Sequence, residues 1–350
     1  MAKKIPEINA SSMADISFLL LIFFLVTTSM DVNQGLARRL PAPIPPDQKI
    51  EDKDINKRNL LVVKINSANQ LMVQGQLMDV KQLREKAKEF IKNEQNNDHL
   101  PKLVEEDFGA PIGTIMYTKD HVISVQNDVD TQYQAYLDVQ NELVAAYNEL
   151  REECAQKYFH KAFAELDEDQ QKQVQKVYPQ KISEAEPKTT EETNMAKIRR
   201  NDKREMPALN TSSLPDIIFM LLFFFMSVTS MKEVSYKVQF QNPQATELTK
   251  LEKKSLVRYI YVGTPTAEFR KQYGAETRIQ LDDAFAETRE IGEYIINERS
   301  SMKESDQGMM TVSIKADKET RMGVIADIKQ ELRRAYALKI SYAATQRTNY

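Results

Sequence analysis

Pro6-Glu-Ile-Asn-Ala10-Ser-Ser-Met-Ala-Asp15-Ile-Ser-Phe-Leu-Leu20-Leu-Ile-Phe-Phe-Leu25-Val-Thr-Thr-Ser-Met30 returns as Pro207-Ala-Leu-Asn210-Thr-Ser-Ser-Leu-Pro215-Asp-Ile-Ile-Phe-Met220-Leu-Leu-Phe-Phe-Phe225-Met-Ser-Val-Thr-Ser230-Met231. At an offset of 201 the stretches align without a gap, and 14 of 25 positions are identical. Shared composition explains matched Leu and Phe, but not Asn9/Asn210, Ser11-Ser12/Ser212-Ser213, Asp15/Asp216 and Thr28-Ser29-Met30/Thr229-Ser230-Met231. The chain contains a duplication.

Inside each copy, residues 10–30 and 211–231 form a nearly uncharged run of 21 residues. As α-helix such a run is about 31 Å long, matching a hydrocarbon core of roughly 30 Å. Two transmembrane helices are therefore expected. A cleaved signal peptide is the alternative for the first run; its interior charge and the lack of an A-x-A-like end argue against cleavage.

Working outward, a second repeat appears at an offset of 189, with eight identities in 25 positions between 123–147 and 312–336. Ile123–Asp128 and Val312–Asp317 alternate like strands ending on Asp, and the residues that follow each have helical periodicity. Further strands are expected at 60–65 and 70–75, paired around Asn66–Asn69, and at 256–262 and 277–281, with helices over 79–92 and 283–299. A closing strand is expected at 337–342, with no counterpart in the first repeat, whose chain reads instead as charged helix over 131–177 and a solvated Thr/Glu/Lys tail. The prolines of Arg38–Pro46 predict extended polyproline, while Val234–Phe240 alternates like a strand; both serve as spacers or as edges that pair with a partner. The expected class is α+β: two repeats of one N-terminal transmembrane helix followed by a small βαβ-rich domain.

Composition excludes several functions. Lys+Arg 48 against Asp+Glu 51 leaves a net charge of −3, which argues against a nucleic-acid partner. A single cysteine, Cys154, rules out a disulfide framework and a thiolate zinc site, and His99, His121 and His160 are widely spaced. No glycine-rich phosphate loop is present, and no nucleophile–base pair stands out. No catalytic residue, no metal and no bound cofactor are expected.

Chemistry is expected at Asp15 and its counterpart Asp216. Either aspartate can act as an N-cap. For Asp15, a helix starting there has only 16 residues to Met30, about 24 Å and too short to span. A start at Ser11 or Ser12 places Asp15 about one turn inside, where an ionisable group is a functional-site hypothesis. Pro215 favours a first-turn place for Asp216, nearer the interface. At 100° per residue Asp15 shares a face with Leu19, Ile22, Val26 and Ser29, and Asp216 with Met220, Phe223, Ser227 and Ser230. These two stripes are expected to face a pore, since a carboxyl on an apolar stripe needs protein or water around it rather than lipid.

A Pro-x-hydrophobic-Asn-x-Ser-Ser-x-x-Asp lead, one apolar run and a small βαβ-rich domain resemble the ExbD/TolR family, closely over 6–30 and 207–231 and more loosely over 60–150 and 256–342. The resemblance implies a subunit of a proton-motive-force motor of Gram-negative inner membranes, with protons as coupling ion and Asp15 and Asp216 as proton carriers. Its implied partners are an ExbB/TolQ-like multi-helix ring, a TonB-like protein that opens outer-membrane transporters, and a second ExbD-like unit in a dimer. A TolR-like role in envelope maintenance is the sibling reading, and a passive membrane-anchored scaffold the alternative from another class.

The organisation expected on that basis is a cytoplasmic segment 1–9, transmembrane helix 10–30, linker 31–59, periplasmic domain 60–150 and charged helical tail 151–194. A basic cytoplasmic segment 195–210, transmembrane helix 211–231, linker 232–255 and periplasmic domain 256–350 follow. Each unit would be single-pass, with its N-terminus cytoplasmic and its bulk periplasmic. One feature opposes a single chain. Lys3 and Lys4 precede the first run, and Lys197, Arg199, Arg200, Lys203 and Arg204 the second, so the positive-inside rule puts both flanks on the same side. Charge also breaks near Met195: residues 1–194 carry −8 and 195–350 carry +5. Met195-Ala-Lys-Ile resembles the start Met1-Ala-Lys-Lys-Ile, so two adjacent subunits joined at 194/195 is the simplest expectation, and a true fusion with one inverted helix the alternative.

Overall fold

The computed structural model describes residues 34–43, 57–185, 235–251 and 253–347. In the first repeat, unit one, strand β2 (Leu60–Ile65) turns through Asn66, whose side-chain oxygen accepts the backbone N–H groups of Ala68 and Gln70, into β3 (Leu71–Val73). Gln74 and Gly75, both at positive φ, then make a tight turn into β4 (Gln76–Met78). Asp79 caps helix α1 (Val80–Lys92) by accepting the Lys81 N–H, and α1 buries Leu83, Ala87, Phe90 and Ile91. A hairpin of β5 (Leu103–Asp107) and β6 (Thr114–Thr118) leads to β7 (Val122–Asn127), which lies parallel to β2.

Helix α2 (Tyr133–Phe159) and α3 (Glu168–Val177) follow, and β8 (Ile182–Ala185) closes the sheet parallel to β7. The order is β4-β3-β2-β7-β8. Arg84 and Lys88 of α1 bond Glu149 of α2 at 2.9 and 2.8 Å, fixing how the two helices lie across the sheet.

Unit two repeats this plan. Short strands β9 (Val238–Gln239), β10 (Gln244–Ala245) and β11 (Thr249–Lys250) precede β12 (Val257–Pro265), β13 (Arg278–Leu281) and β14 (Ala284–Ala286). Helix α4 (Glu290–Ser301), β15 (Thr311–Ala316), α5 (Met322–Arg334), β16 (Lys339–Ala343) and β17 (Thr345–Gln346) complete it. Strands β14, β13, β12, β15 and β16 stand in the order of their unit-one counterparts.

The units are not side by side but interleaved. Strand β1 (Gln34–Arg39), from the first linker, lies antiparallel along β16 of unit two, and β11 pairs on its far side. Gly35 permits this approach, since a Cβ there would collide with Ser341 Oγ and with the Tyr342 carbonyl oxygen. The strand stops before Pro41, which has no N–H to donate. The expected polyproline run thus begins as strand.

Several expectations change. Unit one does have its closing strand: Lys181-Ile-Ser-Glu-Ala185 matches Lys339-Ile-Ser-Tyr-Ala343 in four of five residues, at an offset of 158. The amphipathic helix expected from 131 buries Tyr133, Tyr136, Leu137, Leu143, Tyr147 and Leu150, and the charged extension beyond 150 is not simply solvated, because it buries Cys154, Ala155, Val174 and Val177. The expected transmembrane stretches 10–30 and 211–231 lie outside the described residues. Among the described residues no helix is long and apolar enough to cross a membrane. The longest, α2, has 27 residues, but Asp138, Glu142, Glu149, Arg151, Glu152, Glu153 and Lys157 interrupt any apolar run. The expected class, a transmembrane helix leading each α+β repeat, is therefore corrected to a mixed α/β fold. The expected single-pass placement in a Gram-negative inner membrane is corrected by the same finding.

Candidate functional site: the seam between the repeats

The proton-carrying candidates Asp15 and Asp216, and the stripes Leu19, Ile22, Val26, Ser29 and Met220, Phe223, Ser227, Ser230, lie outside the described residues. What the structure brings together instead is a seam where unit one meets unit two about a pseudo-two-fold axis. Tyr133 N–H donates to Thr320 O, and Met322 N–H donates to Thr131 O, both at 2.8 Å. Gln134 N–H donates to Lys318 O, and Gly323 N–H to Val129 O. In each pair of bonds, one is the other shifted by the repeat offset of 189 in both residues, and Gln132 bridges its own counterpart Arg321. The interface is isologous in its backbone.

Beneath these bonds lies a buried polar cluster. Lys329 of α5 is 2 % exposed and its Nζ sits 2.8 Å from Glu184 Oε2 of β8. Gln140 of α2 donates through Nε2 to the Tyr136 hydroxyl at 3.2 Å and accepts from the guanidinium of Arg38 in β1. The Tyr136 hydroxyl reaches that of Tyr342 in β16 at 3.3 Å, and these rings and that of Tyr133 pack edge to face. Burial alone drives the Glu184 carboxyl up, but Lys329 and Arg38 more than offset it and hold it below the usual carboxylate value. Burial raises the hydroxyls of Tyr133, Tyr136 and Tyr342 well above the ordinary phenol value, so the cluster carries Lys329, Arg38 and Glu184 as its charges.

A second contact set extends the seam. Asn141 of α2 accepts the N–H groups of Thr246 and Glu247 at 2.8 and 2.9 Å, holding the segment after β10 against unit one. Arg347 of unit two bonds Asp138, and Asn148 bonds Glu247.

Other chemistry-bearing residues have structural roles. His121 is buried, bonded to Thr118 and to the Tyr147 hydroxyl at 3.0 Å, and burial lowers its basicity. Cys154 is buried in a small cluster with Ile112, Ala155, Leu166, Val174 and Val177, and burial pushes its thiol up to about 11. Among the described residues no group of His, Cys, Asp or Glu has the arrangement of a metal site.

The seam cluster escaped sequence reading. Glu184 falls in the stretch expected to be solvated, and a lysine in an amphipathic helix ordinarily marks the wet face. The available signal was the K-I-S-x-A match, which places Glu184 opposite Tyr342 in the repeat.

No curated protein matches this chain. The family model "Biopolymer transport protein ExbD/TolR" matches residues 1–151 and again 202–346, one match for each repeat. Proteins of this family are non-enzymatic, energy-transducing subunits for biopolymer transport that work with ExbB/TolQ-type partners in membrane complexes. With both repeats matched, over most of its length, the chain belongs to the ExbD/TolR family as two tandem copies.

Proposed function

We propose that the chain couples proton flow to mechanical work on a TonB-like protein, with Asp15 and Asp216 taking up and releasing the proton. The observation that carries this reading is the duplicated lead: an aspartate at the same place in two 25-residue stretches that otherwise diverge at 11 positions. A carboxyl drawn out of water has a raised pKa and exchanges protons nearer neutrality. Leu19, Ile22, Val26 and Ser29 on one copy, and Met220, Phe223, Ser227 and Ser230 on the other, face the ExbB/TolQ-like ring in this reading. The interleaving of β1 with unit two supports a further element, that the two copies act as one dimer-like body.

The test is a strain carrying Asp15→Asn and Asp216→Asn, assayed for uptake of a TonB-dependent nutrient and for envelope leakiness. The expected result is loss of uptake with a sound envelope. A leaky envelope with normal uptake moves the chain to the TolR-like role. Normal behaviour in both assays removes the proton role and leaves the scaffold.

A further inference from the structure

The pseudo-two-fold seam is symmetric in its backbone and asymmetric in its side chains, and the asymmetry falls where it is most costly. Lys329 occupies the position of Gln140, and Glu184 that of Tyr342. Across one half of the seam Lys329 therefore meets Glu184. Across the other, Gln140 and Tyr342 take the equivalent places, both neutral and linked through the Tyr136 hydroxyl, with Arg38 of β1 bonded to Gln140. We propose that this seam is keyed: it joins a first-type repeat to a second-type repeat and rejects either repeat paired with its own kind.

Each like pairing loses the Lys329–Glu184 ion pair. Two copies of unit two across this seam would set two buried Lys329 ammonium groups against two Tyr342 hydroxyls, with no Glu184 on either side. An unpaired buried charge is far more costly than a neutral polar group. Two copies of unit one would take Lys329, its direct ion-pair partner at 2.8 Å, away from each Glu184 and leave it the amide of Gln140 and the more distant charge of Arg38.

Shape gives an independent second key. Gly323 donates to Val129 O, and a Cβ on it would lie 2.5 Å from Val129 Cγ1. In unit one the same position is Gln134, which in the observed pairing faces Lys318 instead. A unit-one pair would drive the Gln134 Cβ into Val129 on both sides. A third contribution is β1, which belongs to the first repeat and covers the edge of β16 in the second. The preferred partner of each repeat is therefore the other repeat, whether the two are joined at 194/195 or separate. The inference rests on seam geometry and stands or falls apart from the proton-carrying role.

The experiment uses the full chain with a protease site placed between residues 194 and 195, kept in mild detergent because of its two apolar stretches. After cleavage the halves are unfolded in urea, refolded together and weighed by native mass spectrometry. The expected product is one half of each kind; homotypic pairs in comparable amount overturn the proposal. In an E184Q/K329Q chain, which replaces the buried Lys329–Glu184 ion pair by two neutral amides and keeps Arg38, homotypic pairs should rise at least about tenfold relative to wild type, a change of 1.4 kcal/mol. An unchanged distribution in that variant overturns the role of the charge pair. Should E184Q/K329Q not refold, G323A tests the shape key by itself. It should weaken association of the cleaved halves at least about tenfold, and V129A in the same chain should restore it. Unweakened association in G323A overturns the shape key.

Discussion

The closing strand Lys-Ile-Ser-x-Ala ends each repeat, but its setting differs. In unit two, β16 follows the 13-residue α5 after four residues and is buried between β15 and the borrowed strand β1. In unit one, β8 comes only after the 27-residue α2, a turn and α3, and no strand pairs on its outer side among the described residues. The 31 extra residues, the difference between the offsets 189 and 158, carry their own small core around Cys154, Leu166 and Val174. The sheet is unaltered because the insertion falls in the connection between helix and last strand, where added chain costs little loop entropy. Divergence between the copies has accumulated in this connection and in the side chains of the seam, while strand order and backbone pairing stayed common.

The largest effect that would break the comparison lies at the charge pair. Lys329→Met leaves Glu184 without its ammonium partner, and the chain should lose about 3–5 kcal/mol of stability, read by urea denaturation. The corresponding Gln140→Met removes a neutral group and should cost much less. Titration separates the two further. Because the folded carboxyl of Glu184 is held below its ordinary value of 4.5, its contribution is present above about pH 4.5 and fades as pH falls through the lower folded value. Glu184→Gln should flatten that acid limb, and an unchanged limb would show that other carboxylates set it.

A matched pair of truncations sharpens the comparison at the next level. Leu143 and Leu332 are counterparts at the offset of 189, both fully buried, on the helices that follow the interior strands β7 and β15. Leu143→Ala and Leu332→Ala should each cost roughly 2–5 kcal/mol. If the interleaved units unfold as one body, both variants shift a single transition; two transitions, each moved by one variant only, would mean that the repeats unfold separately.

Sequence reading recovered what depends on local pattern and missed what depends on pairing. Alternation located β2, β7, β12 and β15 to within a few residues, and the apolar spacing of Leu83, Ala87 and Phe90 located α1. The start of α4 was misread because 283–289 has helical composition, whereas β14 pairs there with β13 after a turn at Asp282, which sits at positive φ. The β5–β6 hairpin within 94–120 went unread because Val104, Glu105 and Glu106 interrupt any clean alternation. Strand β1 was illegible for a different reason. Gln34–Arg39 has no strand-like pattern of its own and is a strand because Leu36 and Leu40 find cover on unit two. The seam charges belong to the same class, since no local pattern tells a lysine that it will be buried.

The smallest effect concerns how each repeat starts its first helix. In unit one Asp79 is extended and accepts the Lys81 N–H at 2.8 Å. In unit two the equivalent position is Arg289, helical in backbone, with no side-chain cap. Asp79→Ala should therefore cost about 1 kcal/mol, the ordinary value of an N-cap. Arg289→Ala should be close to neutral, because its guanidinium has an exposed ion pair with Glu287 and such pairs contribute about 0–1 kcal/mol. Hydrogen exchange at Gln82 and Leu83, compared with that at Ile291 and Gly292, resolves a difference of this size where a global melt does not. Faster exchange confined to the first turn of α1 in Asp79→Ala would assign the effect to the cap, and exchange raised throughout unit one would show that α1 forms only together with the sheet beneath it.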